Sequence, residues 1–202
     1  MIKLSVLIPA YNPGKWLRKI LDALAKQIGD YPQTEAIVVD DGSAEDLSYV
    51  EEYPFAKLIR TENKGEPSAR NLLIESAKGQ YVQFIDADDE IYPNALEIIY
   101  SNINKGYDFV SYEYHTDHDQ KRAYHNYGQL MVNCAMWGYT FKRSFISPHL
   151  FDPKLLTGCD TDILGRMLKE DALHKHDTRV WYNYRWDGNE NSLCHKYLRG
   201  EI

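Results

Sequence analysis

Three carboxylates stand within four residues at Asp86-Ala87-Asp88-Asp89, directly after the apolar run Tyr81-Val82-Gln83-Phe84-Ile85. At a strand end such a cluster repels itself. A hard divalent cation relieves that repulsion, because Mg²⁺ or Mn²⁺ takes carboxylate oxygens together with phosphate oxygens. Alternate side chains of an extended segment point the same way, so Asp86 and Asp88 face one ligand together. A solvated acidic loop capping the next helix explains the same residues, since Asp is favoured near a helix N-terminus. A second polar cluster, Asp40-Asp41-Gly42-Ser43, ends the run Glu35-Ala36-Ile37-Val38-Val39. A carboxylate there can accept the imide N–H of uracil or bind a ribose hydroxyl, although taken alone the cluster is an ordinary strand-to-helix turn. The third is Asn63-Lys64-Gly65-Glu66-Pro67-Ser68-Ala69-Arg70-Asn71, a basic loop opening into a helix with Arg70 about one turn in. Helix N-termini attract anions and Arg clamps phosphate bidentately; a surface loop with Arg70 in a salt bridge is the alternative. His115, His118 and His125 lie in a polar stretch without tight metal-ligand spacing and read as solvated.

The elements that must position these clusters alternate. Residues 4–9 read as a buried β-branched strand, with a turn at Ala10-Tyr11-Asn12-Pro13-Gly14. Residues 15–28 carry an apolar stripe at helical spacing that Gly29 stops. Strands are expected at 35–40, 56–60 and 81–85, and helices at 44–53 (capped by Ser43), 66–78 (Pro67 in its first turn, Gly79 as its stop) and 93–104. This is an α/β fold, with a mostly parallel mixed sheet flanked by helices, in which ligands bind beyond the carboxyl ends of the strands. Parallel strands would gather Tyr11-Asn12, Asp40–Ser43 and Asp86–Asp89 at one rim. The second half is less regular. A strand is expected at 107–114, a loop or exposed hairpin at 115–128, a helix at 161–170 and an edge strand at 179–186, with a mobile end from Asp187. With no repeat or linker, residues 1–202 read as a single domain.

Composition narrows the partners. The 202 residues carry 23 Lys and Arg against 30 Asp and Glu, a formal net charge of −7, which argues against a general nucleic-acid binder but leaves room for a local basic pocket. Three cysteines, Cys134, Cys159 and Cys194, are an odd number without metal-ligand spacing and read as free thiols of a reducing compartment. No run approaches the ~20 apolar residues of a membrane span, and the N-terminus lacks the features of a signal peptide. The expectation is a cytoplasmic protein, free or peripheral at the membrane. The 16 Tyr offer planar amphipathic surfaces suited to sugars or bases, or simply to packing.

Taken in order, LSVLIPAYN (4–12), VVDDGS (38–43), NKGEPSARN (63–71) and YVQFIDADDEIYPNAL (81–96) resemble the motifs of a family-2 glycosyltransferase of the GT-A fold. They span nearly half the chain, and four in order are highly specific. The resemblance implies a nucleotide-diphosphate-sugar donor, usually UDP-linked, a divalent metal (Mn²⁺ or Mg²⁺) and direct inverting transfer to an acceptor hydroxyl. It implies a nucleotide-sugar-binding half at 1–105 and an acceptor-binding half at 106–202. Pro9, Ala10 and Tyr11 match the segment that packs on the base, Asp41 the uracil-binding carboxylate, and Arg70 the basic residue near the diphosphate. Asp86 and Asp88 match the first and last carboxylates of the DXD motif, the last holding the metal.

The second half resembles the family more loosely. Residues 135–143 are similar to the segment lining the acceptor side through its Trp, here Trp137. Gly158-Cys159-Asp160-Thr161 resembles the Glu-Asp motif whose Asp is the general base, which assigns Asp160 that role, with Asp162 as second choice and a helix N-cap as the plain alternative. Cys159 stands where the family has Glu, a departure that touches the hydrogen bonds of that Glu rather than the base. Tyr182-Asn183-Tyr184-Arg185 through Ser192 resembles the C-terminal segment whose basic residue, here Arg185, closes over the diphosphate, and His195 is the candidate third metal ligand. The acceptor could be a lipid-linked glycan, a polysaccharide, a protein or a small molecule. Two other readings use the same residues: a nucleotidyltransferase releasing pyrophosphate, disfavoured because no Gly-rich basic loop follows Pro9, and a non-catalytic sugar-nucleotide or glycan-binding relative.

Overall fold

The computed structural model describes residues 1–116, 125–127, 130–132, 135–155, 157–168, 170–185 and 200. The first half builds β1 (Leu4–Ala10), α1 (Lys15–Ile28), β2 (Thr34–Asp41), β3 (Ala56–Thr61), α2 (Glu66–Ser76), β4 (Tyr81–Phe84), β5 (Glu90–Ile91) and α3 (Ala95–Asn102). The second half adds β6 (Phe109–Thr116), a hairpin of β7 (His125–Tyr127) and β8 (Leu130–Val132), β9 (Tyr139–Lys142), α4 (Arg143–Ile146), α5 (Cys159–Met167) and β10 (His174–Tyr184). One eight-stranded sheet has the order β3-β2-β1-β4-β9-β6-β10-β5. The pairs β3–β2, β2–β1, β1–β4 and β6–β10 are parallel, while β4–β9, β9–β6 and β10–β5 are antiparallel. The first half thus forms the parallel sheet expected from the sequence.

Strands buried on both faces need apolar residues throughout, and β1 and β2 have them. Leu4, Val6 and Ile8 of β1 and Ala36 and Val38 of β2 face Leu17, Ile20, Leu21 and Leu24 of α1. Leu7, Ile37 and Val39 point to the other face, against Leu73 and Ile74 of α2. Each such Val, Leu or Ile side chain contributes roughly 1.5–3 kcal/mol relative to exposure. The chain runs so close before β4 that a Cβ on Gly79 would lie 2.5 Å from the Ser5 backbone nitrogen. The Gly79 amide also donates to Ser5 Oγ at 2.8 Å. Helix α2 ends earlier, at Ser76, so Gly79 serves close approach rather than helix termination.

Three expectations change. The helix expected at 44–53 is a 3₁₀ turn over Ser48–Glu52. Ser43 does not cap it: its hydroxyl accepts the Asn12 amide at 2.9 Å, and Asp46 turns the chain by accepting the Ser48 amide at 2.9 Å. The strand expected at the edge over 179–186 is β10, which starts at His174 and lies between β6 and the two-residue β5. The polar stretch from residue 115 is strand as far as Thr116, followed by the β7–β8 hairpin.

Candidate active site

The ends of β1, β2 and β4 meet at one rim, as parallel pairing requires. Asn12, in the left-handed region at φ 46°, ties the first two together: its amide donates to Ser43 Oγ and its side-chain oxygen accepts the Ala44 amide at 2.8 Å. Asp40 accepts the Ser43 amide at 2.9 Å. Gly42 has φ 78°, and a Cβ there would meet the Asn63 nitrogen at 2.7 Å, so the turn packs directly on the basic loop. Asp41 fastens that loop by accepting the amides of Lys64 and Gly65, both at 2.9 Å. Asp41 is buried, with both oxygens engaged in holding residues 64–65. Pro9 and Ala10 form the strand end beneath, and Tyr11 projects with 55% of its surface exposed, free to lie on a planar ligand.

Arg70 is the hub. Its guanidinium donates to Asp160 at 2.7 Å, to Asp86 at 3.0 Å and to Glu66 one turn earlier on α2, and it is 2% exposed. One cation thus joins the end of β4 to the start of α5, reaching a carboxylate 90 residues further along the chain than Arg70 itself. Arg70 was expected as a phosphate clamp; instead it is sunk beneath the rim with Phe84 and Phe151 about it, so what it clamps is protein carboxylate. Burial works against its charge, but Asp160, Glu66 and Asp86 overcome that and raise its pKa well above the ordinary guanidinium value. Burial pushes Asp86 well up, Arg70 opposes, and Glu66, Asp88 and Asp160 push it further. Glu66 is raised in the same way. Asp160 is also held by the Met136 amide at 2.9 Å on its other oxygen. Cys159 is buried, and burial followed by the Asp160 charge raises its thiol far above the usual range, which makes it a small packing residue.

The acidic loop is braced from β10. The Tyr182 hydroxyl accepts the Asp86 amide at 3.1 Å and donates to Asp89 at 2.5 Å. The Arg185 amide donates to the second Asp89 oxygen at 2.8 Å, and its guanidinium donates to the Asp88 carbonyl at 2.9 Å. That guanidinium lies 3.2 Å from the centroid of the Trp16 ring. Arg185 therefore stands at the acidic loop. Trp137 is 4% exposed and stacks on Tyr182 at 4.5 Å and 8°, so it builds the wall behind the loop. Asp162 faces along α5 into an ion pair with Arg166 at 2.9 Å, which leaves Asp160 as the carboxylate turned to the site. His195 lies outside the described residues, as do Cys134 and Cys194.

Among the described residues no three metal-ligating side chains stand ready as a closed site. The donor chemistry nevertheless fits a hard cation. Asp86 and Asp88 are half-buried carboxylates in a cluster with Glu66, Asp89 and Asp160, where Arg70 and Arg185 leave the negative charge in excess. A cation that keeps water and phosphate ligands needs only one or two such oxygens. Glu66, Tyr182 and Trp16 were not singled out as site residues from the sequence. The four-residue spacing of Glu66 and Arg70 on a helix was a usable signal; the other two contacts are tertiary.

A parallel nucleotide-binding frame with acidic and basic loops at its strand ends, and an antiparallel extension carrying a carboxylate opposite, defines the class of nucleotide-sugar-binding transferase folds. The sequence model of glycosyl transferase family 2 matches residues 5–172, and the chain belongs to that family. It is 41% identical over 102 residues to the uncharacterized glycosyltransferase YibD of Escherichia coli K12, a match covering 48% of this chain and 29% of that protein. It is 37% identical over 105 residues to the poly(ribitol-phosphate) beta-N-acetylglucosaminyltransferase TarS of Staphylococcus aureus, covering 48% of this chain and 18% of TarS. These matches span well under half the length of either relative. The crystal structure of S. aureus TarS 1–349 in complex with UDP-GlcNAc superposes with a TM-score of 0.75 at 21% identity, covering 94% of this chain and 60% of that one. The mannosyltransferase PcManGT of Pyrobaculum calidifontis, in complex with GDP-Man and Mn²⁺, superposes with a TM-score of 0.68 at 17% identity, covering 90% and 56%. The chain thus has the GT-A fold. No helix among the described residues is long and apolar enough to cross a membrane.

Proposed function

We propose that this chain is the donor-binding and catalytic domain of an inverting, metal-dependent glycosyltransferase that moves a hexose or N-acetylhexosamine from a UDP-linked donor to an acceptor hydroxyl in glycan or cell-surface polysaccharide assembly. The observation that supports this reading is the Arg70 bridge, which brings Asp86, read as the donor-side carboxylate, and Asp160, read as the acceptor-side base, to one cation. Tyr11, exposed at the end of β1 after Pro9 and Ala10, supplies a face for the base, while Asp41 at the neighbouring strand end holds the 64–65 loop beside it. Asp88, with Asp86 beside it toward the ribose, would hold a divalent cation. When bound, that cation neutralises charge developing on the departing nucleoside diphosphate. Arg185, braced on Trp16, adds a second positive charge at the same loop.

Asp160 takes the proton from the acceptor hydroxyl as its oxygen attacks the anomeric carbon, and the bond to the diphosphate oxygen breaks in the same displacement. One base and one displacement invert the anomeric configuration. The hydrogen bonds from Arg70 and the Met136 amide fix the orientation of the carboxylate. A base of this kind is worth ~10²–10⁴ in rate.

The test has two parts. A panel of nucleotides and nucleotide sugars, each with and without Mn²⁺, should raise the thermal midpoint most for UDP-linked ligands with metal, because a ligand that binds only the folded state stabilises it. Asp160→Asn should then keep that donor-induced shift and lose ~10²-fold or more in transfer. A panel in which no nucleotide shifts the midpoint, or an Asp160→Asn protein that transfers at the parent rate, removes the reading. Release of pyrophosphate from UTP and a sugar 1-phosphate would point to a nucleotidyltransferase instead.

A further inference from the structure

We infer that Tyr182 is a positioning residue for the acidic loop, acting through its hydroxyl, and that its ring, stacked on Trp137, ties that loop to the segment holding Asp160. The inference rests on the reading of Asp86 and Asp88 as the donor and cation carboxylates. The hydroxyl spans the loop at both ends, accepting the Asp86 amide at 3.1 Å and donating to Asp89 at 2.5 Å. Asp89 is 1% exposed, so water cannot replace that donor. Inside the loop, the Asp89 amide donates to the Asp86 carbonyl at 3.2 Å, and Arg185 secures the Asp88 carbonyl from outside. The backbone of 86–89 is therefore fixed by groups that do not use the carboxylates of Asp86 and Asp88. Asp86 and Asp88 are half-buried at the rim, Asp86 with one oxygen on Arg70, whereas Asp89 is fully buried and has both oxygens bonded to Tyr182 and Arg185.

The far side of the Tyr182 ring meets Trp137 nearly in parallel, at 4.5 Å. The Trp137 carbonyl is held by Gln83 Nε2 of β4 at 2.8 Å, and the preceding Met136 amide donates to Asp160. Tyr182 itself pairs with Ile91 of β5, directly beyond the acidic loop. A single line of contacts thus runs from Asp160 through the 136–137 turn and the stacked rings to Asp86 and Asp89. Groups that orient ligating carboxylates from behind typically account for 10–100-fold in metal affinity or activity.

Tyr182→Phe keeps the ring and the stack and removes only the hydroxyl. Mn²⁺ affinity, read by electron paramagnetic resonance in the presence of UDP, should weaken 10–100-fold, while UDP affinity without metal stays within about twofold. Excess Mn²⁺ should restore much of the lost transfer rate, which damage to the fold alone would not permit. Asp89→Leu, which leaves no acceptor for the hydroxyl, should weaken Mn²⁺ binding in the same direction, and the double variant should be little worse than the poorer single one, because both remove the same bond. Mn²⁺ affinity equal to the parent in Tyr182→Phe, or full additivity in the double variant, overturns the inference and leaves the glycosyl-transfer reading standing. A parent protein that binds no Mn²⁺ with UDP overturns both.

Discussion

Replacing Arg70 by Met keeps the length of the side chain and removes the charge that joins Glu66, Asp86 and Asp160. Arg70 is 2% exposed, and its three partners retain 27%, 25% and 17% of their side-chain surface. Removing one partner of a buried ion pair costs about 3–5 kcal/mol, because the other charge is left uncompensated. Here the abandoned carboxylates keep some water, so the lower end applies, about 3 kcal/mol near pH 8. For a chain of this size that is a fall of roughly 6–12 °C in thermal midpoint. The pH dependence is the sharper test. Burial already holds Glu66 and Asp86 above their ordinary values even with Arg70 pulling them down. Without Arg70 both rise further. A carboxyl whose folded pKa lies above its unfolded one binds its proton more tightly when folded, so stability grows as pH falls through the folded pKa toward the unfolded one. The defect of Arg70→Met should therefore be largest in alkaline buffer and shrink toward pH 5 as the stranded carboxyls protonate. Urea unfolding of parent and variant from pH 5 to 8.5 reads this directly. A defect under about 1 kcal/mol at pH 8, or one that grows on acidification, refutes the hub.

Two other substitutions probe the frame beneath the site. Gly79→Ala should lower stability by about 1–3 kcal/mol, measured by urea unfolding, because the added methyl meets the Ser5 nitrogen and the Tyr81 carbonyl, which belong to paired strands and cannot move aside; an unchanged unfolding midpoint would show that β1 and β4 do not approach so closely. Asp177 on β10 behaves oppositely to Asp86: burial alone would raise it, but hydrogen bonds from Arg179, Asn102 and Lys175 outweigh that and hold its carboxyl well below the usual range. Its contribution is present above the unfolded value of about 3.9 and is lost as pH falls through the folded one. Asp177→Asn should accordingly cost about 1.5–3 kcal/mol at pH 7 and flatten the loss of stability below pH 4, and a variant with the parent's acid limb would contradict the assignment.

The parts of this molecule legible in its sequence are those whose cause is local. Residues 15–28 form a helix because Leu17, Ile20, Leu21 and Leu24 share one face, and the strands at 4–10 and 34–41 form where apolar β-branched runs meet polar punctuation. That punctuation, Asp40–Ser43 and Asp86–Asp89, marks the rim because parallel pairing brings consecutive strand ends together. The failures have tertiary causes. Ser43 was a plausible helix cap until Asn12, 31 residues earlier, took its hydroxyl. His174-Lys175-His176-Asp177 is too polar to announce a strand, yet it pairs in register with Phe109–Tyr112, its carboxylate satisfied from Asn102 on α3. β10 looked like an edge because the strand beyond it is only Glu90-Ile91, too short to show a period and sitting inside the acidic motif. Arg70 shows both cases in one side chain. Its pairing with Glu66 follows from helical spacing, whereas its pairing with Asp160 depends on β4, β9 and α5 reaching their places. The motif identified each carboxylate separately; that one buried cation holds both Asp86 and Asp160 is a property of the fold, and the alkaline defect of Arg70→Met is its measure.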